Sequence, residues 1–300
     1  WHVTTNDARR YSCRYLVTAI GIMSERFLPD IPGIETFRGE RYMTARWPKE
    51  EPDFRGKRVG IIGAGASAVQ AIPLIAEQAE TLTVFQRTAN YVLPAQNHQL
   101  TPTDREGIKE DYDNVWAHAR GHSFGMPFNP AGRLAVETEE KERESIFEKY
   151  WERGGFRFIF ETFDDLLTDP TANEMAADFI RKKIRETVKN PETAEALCPK
   201  GYPFGGKRPP NGTDYYETYN RTNVELVDLK ATSIEEITQS GVRTLDQDYQ
   251  FDTIIFATGF DAVTGAFTAI DIEGRDGLTL KEHWTKGPRT LFGLGAHGFP

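Results

Sequence analysis

Three observations predict an α/β fold built on a parallel sheet. Short apolar runs recur along the chain, and three of them are followed within two residues by glycine. One of these runs leads into a glycine-rich turn and then a helical pattern, which is the beginning of a strand–helix–strand unit. Between about 101 and 189 the runs stop and charged helical stretches replace them, so a helical insertion interrupts the sheet.

In chain order, the opening WHVTTNDARRYSCRYLVTAIG reads as a hairpin already inside a domain, with a first strand candidate at 15–19. It lacks a starting Met, a charged leader and an apolar core of a signal, so the sequence is expected to be a piece of a longer one. Further strands are expected at 58–62, 81–85, 224–227 and 253–257. Helices are expected over 137–151 and 174–188. Thr171 and Glu174 have capping-box spacing and Pro170 suits a first turn. The dense charge on both helices reads as a solvated face rather than a binding surface. Residues 199–212 form a Gly- and Pro-rich loop, and a long loop of that kind inside a compact domain is more often functional than decorative.

Composition excludes several classes. The chain has 300 residues, 39% of them apolar, and a formal net charge of −9. That is ordinary globular material, long enough for two domains, and its acidic surface repels a phosphate backbone. Nucleic acid is therefore excluded as a partner. No apolar run approaches the roughly 18–20 residues of a membrane span. The two cysteines, Cys13 and Cys198, have no CxxC spacing, which argues against zinc, any other metal site and a redox dithiol. They fit a reduced, cytoplasmic compartment, as buried small residues.

The run GKRVGIIGAGASA (56–68) carries the clearest chemistry. Its Gly63-Ala64-Gly65-Ala66-Ser67-Ala68 has the form GxGxxA. Gly63 permits the tight turn, Gly65 lets the backbone approach a pyrophosphate, and Ala68 lets the helix pack closely on the strand. The free N–H groups of the helix start face the phosphates. A second strand follows at the right distance, which meets the context test for a dinucleotide site. Pro73 inside the helix predicts a kink or an early end. At the end of the second strand, where a carboxylate would select NAD, the chain has Phe85-Gln86-Arg87-Thr88. Arg87 can grip a 2′-phosphate and the Thr88 hydroxyl can add a bond, so NADP(H) is preferred over NAD(H).

FRGERYMTARWP (37–48) resembles the fingerprint FxGxxxHxxxW(P/D) of type I Baeyer–Villiger monooxygenases, which are class B flavoprotein monooxygenases. Phe37, Gly39, Trp47 and Pro48 fall at its positions and Met43 takes the place of its histidine, where the residue otherwise looks like an apolar contact in a polar turn. VFQRTANYVLP (84–94), GGFRF (154–158), GGKRP (205–209), YYETYNRTNV (215–224) and FATGFDAVTG (256–265) are similar to the same family, closest to its cyclohexanone and cyclopentanone branch. The resemblance spans essentially the whole chain, with its motifs in the family's order.

The resemblance implies a two-dinucleotide, Rossmann-like flavoprotein. Residues 1–33 would end a first FAD segment, and 34–55 would be a linker carrying the fingerprint. Residues 56–100 and 201–257 would form the NADP domain around a helical insertion at 101–200, and 258–300 would begin a second FAD segment. Ala257, Thr258 and Gly259 resemble the turn at which the chain returns to the FAD domain, with Ala19-Ile20-Gly21 as an earlier counterpart.

The implied reaction is NADPH- and FAD-dependent oxidation of cyclic ketones to lactones with O2, through a C4a-peroxyflavin. Arg208 would be the fixed cation that stabilises negative charge, and Lys207 would neighbour the 2′-phosphate. The 300 residues alone are expected to bind FAD poorly and to be inactive. Two other readings stay open: a flavin-containing N- or S-monooxygenase, and a catalytically silent NADP-binding module, which Met43 encourages. A disulfide reductase is excluded by the missing CxxC.

Overall fold

Burial on both faces explains the sheet at the centre of residues 30–258 in the computed structural model, which describes residues 1–299 and divides them into two units. With strands numbered in chain order, β3 (Glu40–Met43), β12 (Thr253–Phe256), β4 (Arg58–Ile62), β5 (Thr81–Gln86) and β8 (Val224–Asp228) lie side by side in that order, all parallel. Val59, Ile61, Leu82, Val84, Phe85, Ile254 and Ile255 are fully buried, as expected of parallel strands covered on both sides. The register aligns the carboxyl ends: Met43, Phe256, Ile62, Phe85 and Val227 form one row across the sheet.

The fingerprint stretch, expected as a linker, therefore contributes β3, an edge strand of this sheet. Met43 does not sit in a polar turn. It pairs with Phe256 at the end of that strand and packs against a core of Phe37, Ile62, Phe85 and Phe256. Three polar or charged residues among the four of ERYM hide the strand from an apolar-run search.

Between β4 and β5 runs α1 (Ala66–Gln78). It continues through Pro73 and does not end early, because Ile72, Ile75 and Ala76 bury its last turns and Ala79 N–H closes on Ile75 O at 2.8 Å. The insertion holds α2 (Pro102–Glu110), α3 (Tyr112–Gly121), α4 (Glu140–Arg153), α5 (Arg157–Phe160), α6 (Pro170–Thr187) and α7 (Pro191–Leu197). Asp169, not Thr171, caps α6: its carboxylate accepts from Thr171 N–H and Ala172 N–H, two residues earlier than the capping-box spacing suggests. The charged faces of α4 and α6 are not simply solvated. Lys183 pairs with Glu148 at 3.0 Å and Lys182 with Glu144, above a stack of Phe147, Phe158 and Phe179.

After the insertion, β7 (Asn211–Gly212) pairs with β6 (Leu93–Pro94), α8 (Tyr215–Thr218) follows, and β8 enters the sheet. An antiparallel meander of β9 (Ile234–Thr238), β10 (Gly241–Thr244) and β11 (Asp248–Gln250) then precedes β12. The sequence reading missed this meander because charges such as Glu235, Glu236 and Arg243 break its alternation.

The second unit comprises 1–29 and the residues from 259 onward. Its opening hairpin forms as expected, with β1 (His2–Thr4) antiparallel to β2 (Arg10–Ser12). Residues 15–19 are not a strand. Nothing among the described residues offers them a ladder partner, and Tyr15 and Val17 remain 80% and 86% exposed. Short helices α9 (Gly265–Thr268) and α10 (Leu280–His283) complete the unit. Cys198 is buried and Cys13 only half-buried, and both are free.

Candidate nucleotide-binding site

The turn after β4 is shaped by a close approach. Gly63 has φ 124°, its N–H donates to Phe85 O at 3.0 Å, and a Cβ there would lie 2.4 Å from Ala257 O. Only glycine fits, which ties the turn to the ends of β5 and β12. Ala64 is buried beneath it, whereas a Cβ on Gly65 would meet nothing within 4 Å. Gly65 is also the N-cap of α1, with no side chain bonded to the helix start. Ala66 and Ser67 are exposed and Ala68 is fully buried against the strand. The first N–H groups of α1 thus face open space, a ready seat for a pyrophosphate. This donor set fits a dinucleotide.

Arg87 and Thr88 follow β5 directly. Arg87 is exposed and has no ion pair or hydrogen bond among the described residues; Thr88 is half-buried. The preceding Gln86 is buried and its Nε2 donates to Ala196 O at 2.8 Å, which fixes the strand end to α7.

Lys207 and Arg208 lie on the loop between α7 and β7, both exposed and both without an ion pair among the described residues. Each sits instead over an aromatic ring: Lys207 Nζ is 4.6 Å from the centroid of Tyr202, and Arg208 Cζ is 5.4 Å from that of Phe156. The loop is pinned upstream by Asn173 of α6. Its Nδ2 donates to Phe204 O and Leu166 O, each at 2.8 Å, and its Oδ1 accepts from Phe204 N–H at 2.9 Å. Phe204 itself is buried against Tyr91 and Phe158. Sequence reading missed Tyr202, Phe156 and Asn173 as parts of the site. GGFRF already flagged Phe156 as motif material, but nothing in the sequence signals that Asn173 faces the loop.

The fingerprint residues build the sheet edge. Phe37 is buried in the core beside Ile62 and Phe256, and Gly39 approaches Asp252 O so closely that a Cβ would lie 2.4 Å away. Trp47 tilts against Tyr42 and Phe54, with Pro48 half-buried after it. Trp47, Thr44 and Phe54 share a cavity of about 330 Å³ with Ser67 of α1, so fingerprint and glycine turn meet there.

Ala257 is buried, its N–H donating to Ile62 O at 2.9 Å, and Thr258 follows half-buried. Gly259, with φ 84°, accepts from Phe27 N–H at 3.1 Å inside the second unit. A wide cleft of about 870 Å³ near Asn173 and Tyr202 contains Arg181, Arg185 and Lys200, but Glu174, Asp178 and Glu195 already pair with these cations. Among the described residues no group of His, Cys, Asp and Glu could hold a metal, and no helix is long and apolar enough to cross a membrane.

Residues 1–128 match the family described as FMO-like, flavin-binding monooxygenase-like. Cyclohexanone 1,2-monooxygenase of Acinetobacter sp is 42% identical over 302 residues, covering all of this chain and 55% of that protein. A phenazine N-monooxygenase of Lysobacter antibioticus matches with the same identity and coverage. The crystal structure of OTEMO in complex with FAD and NADP superposes with a TM-score of 0.95 at 42% identity, covering all of this chain and 57% of that one. The chain thus spans somewhat more than half the length of the relatives it matches.

Proposed function

The chain belongs to the Baeyer–Villiger family of flavin-binding monooxygenases, and from that membership we propose that the whole protein is an NADPH- and FAD-dependent enzyme that oxidises ketones with O2 to esters or lactones. The observation that carries this reading is 42% identity, along the entire chain, to a cyclohexanone 1,2-monooxygenase.

In this reading the turn of Gly63, Ala64, Gly65, Ala66, Ser67 and Ala68 receives the NADP pyrophosphate on the free N–H groups of α1. Arg87, Thr88 and Lys207 bind its 2′-phosphate, and the unpaired state of both cations supports that role. For FAD the support is the family alone: 1–33 and 258–300 would be pieces of its domain, entered through Ala257, Thr258 and Gly259, with 34–55 as connection and 101–200 as an insertion between the NADP segments 56–100 and 201–257. When bound, the nicotinamide supplies hydride and the flavin activates oxygen. The protein's part is to hold a permanent positive charge where an oxyanion develops. Arg208 supplies it, because a guanidinium stays protonated whatever its surroundings and offers paired donors.

The small-molecule partners are therefore a ketone and O2. N-oxidation is the second reading, favoured by the equal identity of the phenazine N-monooxygenase. Incubating the full-length protein with NADPH, O2 and a panel of cyclic ketones, sulfides and amines separates the readings. Lactone is expected; sulfoxide or N-oxide alone moves the protein to heteroatom oxidation, and no product with any class makes it a silent nucleotide-binding module.

A further inference from the structure

We propose that Tyr202 is a specificity-determining residue for NADPH over NADH: its ring seats Lys207, and its hydroxyl ties that ring to the turn that carries Arg87. The inference rests on the reading of Arg87 and Lys207 as the 2′-phosphate cations, and it names what holds them in register.

The two cations come from distant parts of the chain, one from the end of β5 and one from a loop with left-handed glycines at Gly201 and Gly205. A lysine on such a loop has a flexible four-carbon stem and no carboxylate to steer it. Its ammonium nevertheless has a defined place, 4.6 Å from the centroid of Tyr202. Tyr202 is itself fixed. Its hydroxyl donates to Ala89 O at 2.8 Å and lies 3.4 Å from Asn90 Oδ1, two and three residues after Arg87. Tyr91 returns a bond from its own hydroxyl to Tyr202 O at 3.4 Å, and the two rings meet edge to face with centroids 5.4 Å apart. Burial pushes the Tyr202 phenol up to about 12, so it stays a protonated donor at any working pH. One half-buried tyrosine thus bridges the turn of one cation and the seat of the other.

The consequence is selective. NADH has no 2′-phosphate, so a displaced Lys207 costs it nothing, whereas NADPH loses one of two charge-assisted contacts.

The test uses full-length enzyme loaded with FAD and measures anaerobic flavin reduction by each nucleotide. Tyr202→Leu, which removes the ring, is expected to lower the NADPH-over-NADH preference about tenfold through a higher KM for NADPH, with NADH efficiency within about twofold of the parent. Tyr202→Phe keeps the ring and loses only the tether, and should lower the preference by about two- to threefold. Should the leucine variant fail to hold flavin, Tyr202→Met refills the volume without a π face and carries the same expectation. An unchanged preference, or an equal loss with both nucleotides, overturns the proposal. Arg87→Ala and Lys207→Ala run alongside: if they lower the preference and the Tyr202 variants do not, only Tyr202 is wrong; if they too leave it intact, the phosphate reading itself fails.

Discussion

The candidate site has two halves that are held in different ways. The glycine turn and Arg87 stand at the ends of buried parallel strands, where backbone register and close packing leave one arrangement: Gly63 against Ala257 O, Gln86 against Ala196 O. Lys207 and Arg208 stand on a loop, where Asn173 pins the backbone and two aromatic rings seat the charges. Strand-borne groups need no private partners because the sheet positions them. Loop-borne charges must be parked, and rings park a cation without neutralising it, as a carboxylate would.

This contrast can be broken at several points. The largest effect is expected at Gly63. A Cβ there meets backbone at 2.4 Å on a left-handed residue, so Gly63→Val should abolish nucleotide binding or folding, read by nucleotide titration and circular dichroism. The loop counterpart, Gly205→Ala, meets no backbone, only the movable end of the Leu167 side chain, and with the strain of its left-handed φ of 79° should cost about 1–2 kcal/mol. Equal damage at the two glycines would contradict the division.

Next comes Asn173→Ala, which strands the buried N–H and C=O of Phe204. It should destabilise by about 2–4 kcal/mol in urea unfolding, and a neutral result would remove the pin from the account.

A smaller effect concerns the amino end of the sheet. Asp252 accepts from Arg58 through both carboxylate oxygens and from its backbone N–H, which holds its carboxyl down at about 2. A depressed folded value contributes stability above the unfolded value of about 3.9, and that contribution is lost as pH falls from there through about 2. Asp252→Asn should therefore flatten the acid limb of stability over that window. An identical pH profile for parent and variant would show that the pair contributes nothing measurable.

Least is expected of Met43→His. Met43 packs at the sheet edge, so the change should cost about 1 kcal/mol and leave the fraction of NADPH lost as peroxide within about twofold. A larger rise in peroxide would give the position a coupling role.

Legibility in the sequence followed the same division. β4, β5 and β12 announce themselves because strands buried on both faces are runs of Val, Ile, Leu and Phe; the edge strand β8 shows through the Val and Leu of VELVD, and the GxGxxA turn needs its glycines for steric reasons legible in the sequence. β3 does not, since ERYM has one aliphatic residue in four and is a strand only because β12 lies beside it. Residues 15–19 err in the opposite direction, apolar enough for a strand yet without a neighbour. Lys207 and Arg208 drew notice through their resemblance to a family motif. Tyr202, Phe156 and Asn173 could not, because their parts depend on contacts across 5, 52 and 31 residues of chain that no local pattern encodes.

In the proposed function Arg208 supplies the positive charge for oxygen insertion, while the glycine turn, Arg87 and Lys207 hold the nucleotide. Arg208→Ala in full-length, FAD-loaded protein tests it directly, with flavin reduction by NADPH and lactone formation measured in the same preparation. Reduction should stay within about threefold of the parent while lactone falls by at least about a hundredfold. A normal lactone yield from that variant would contradict the claim.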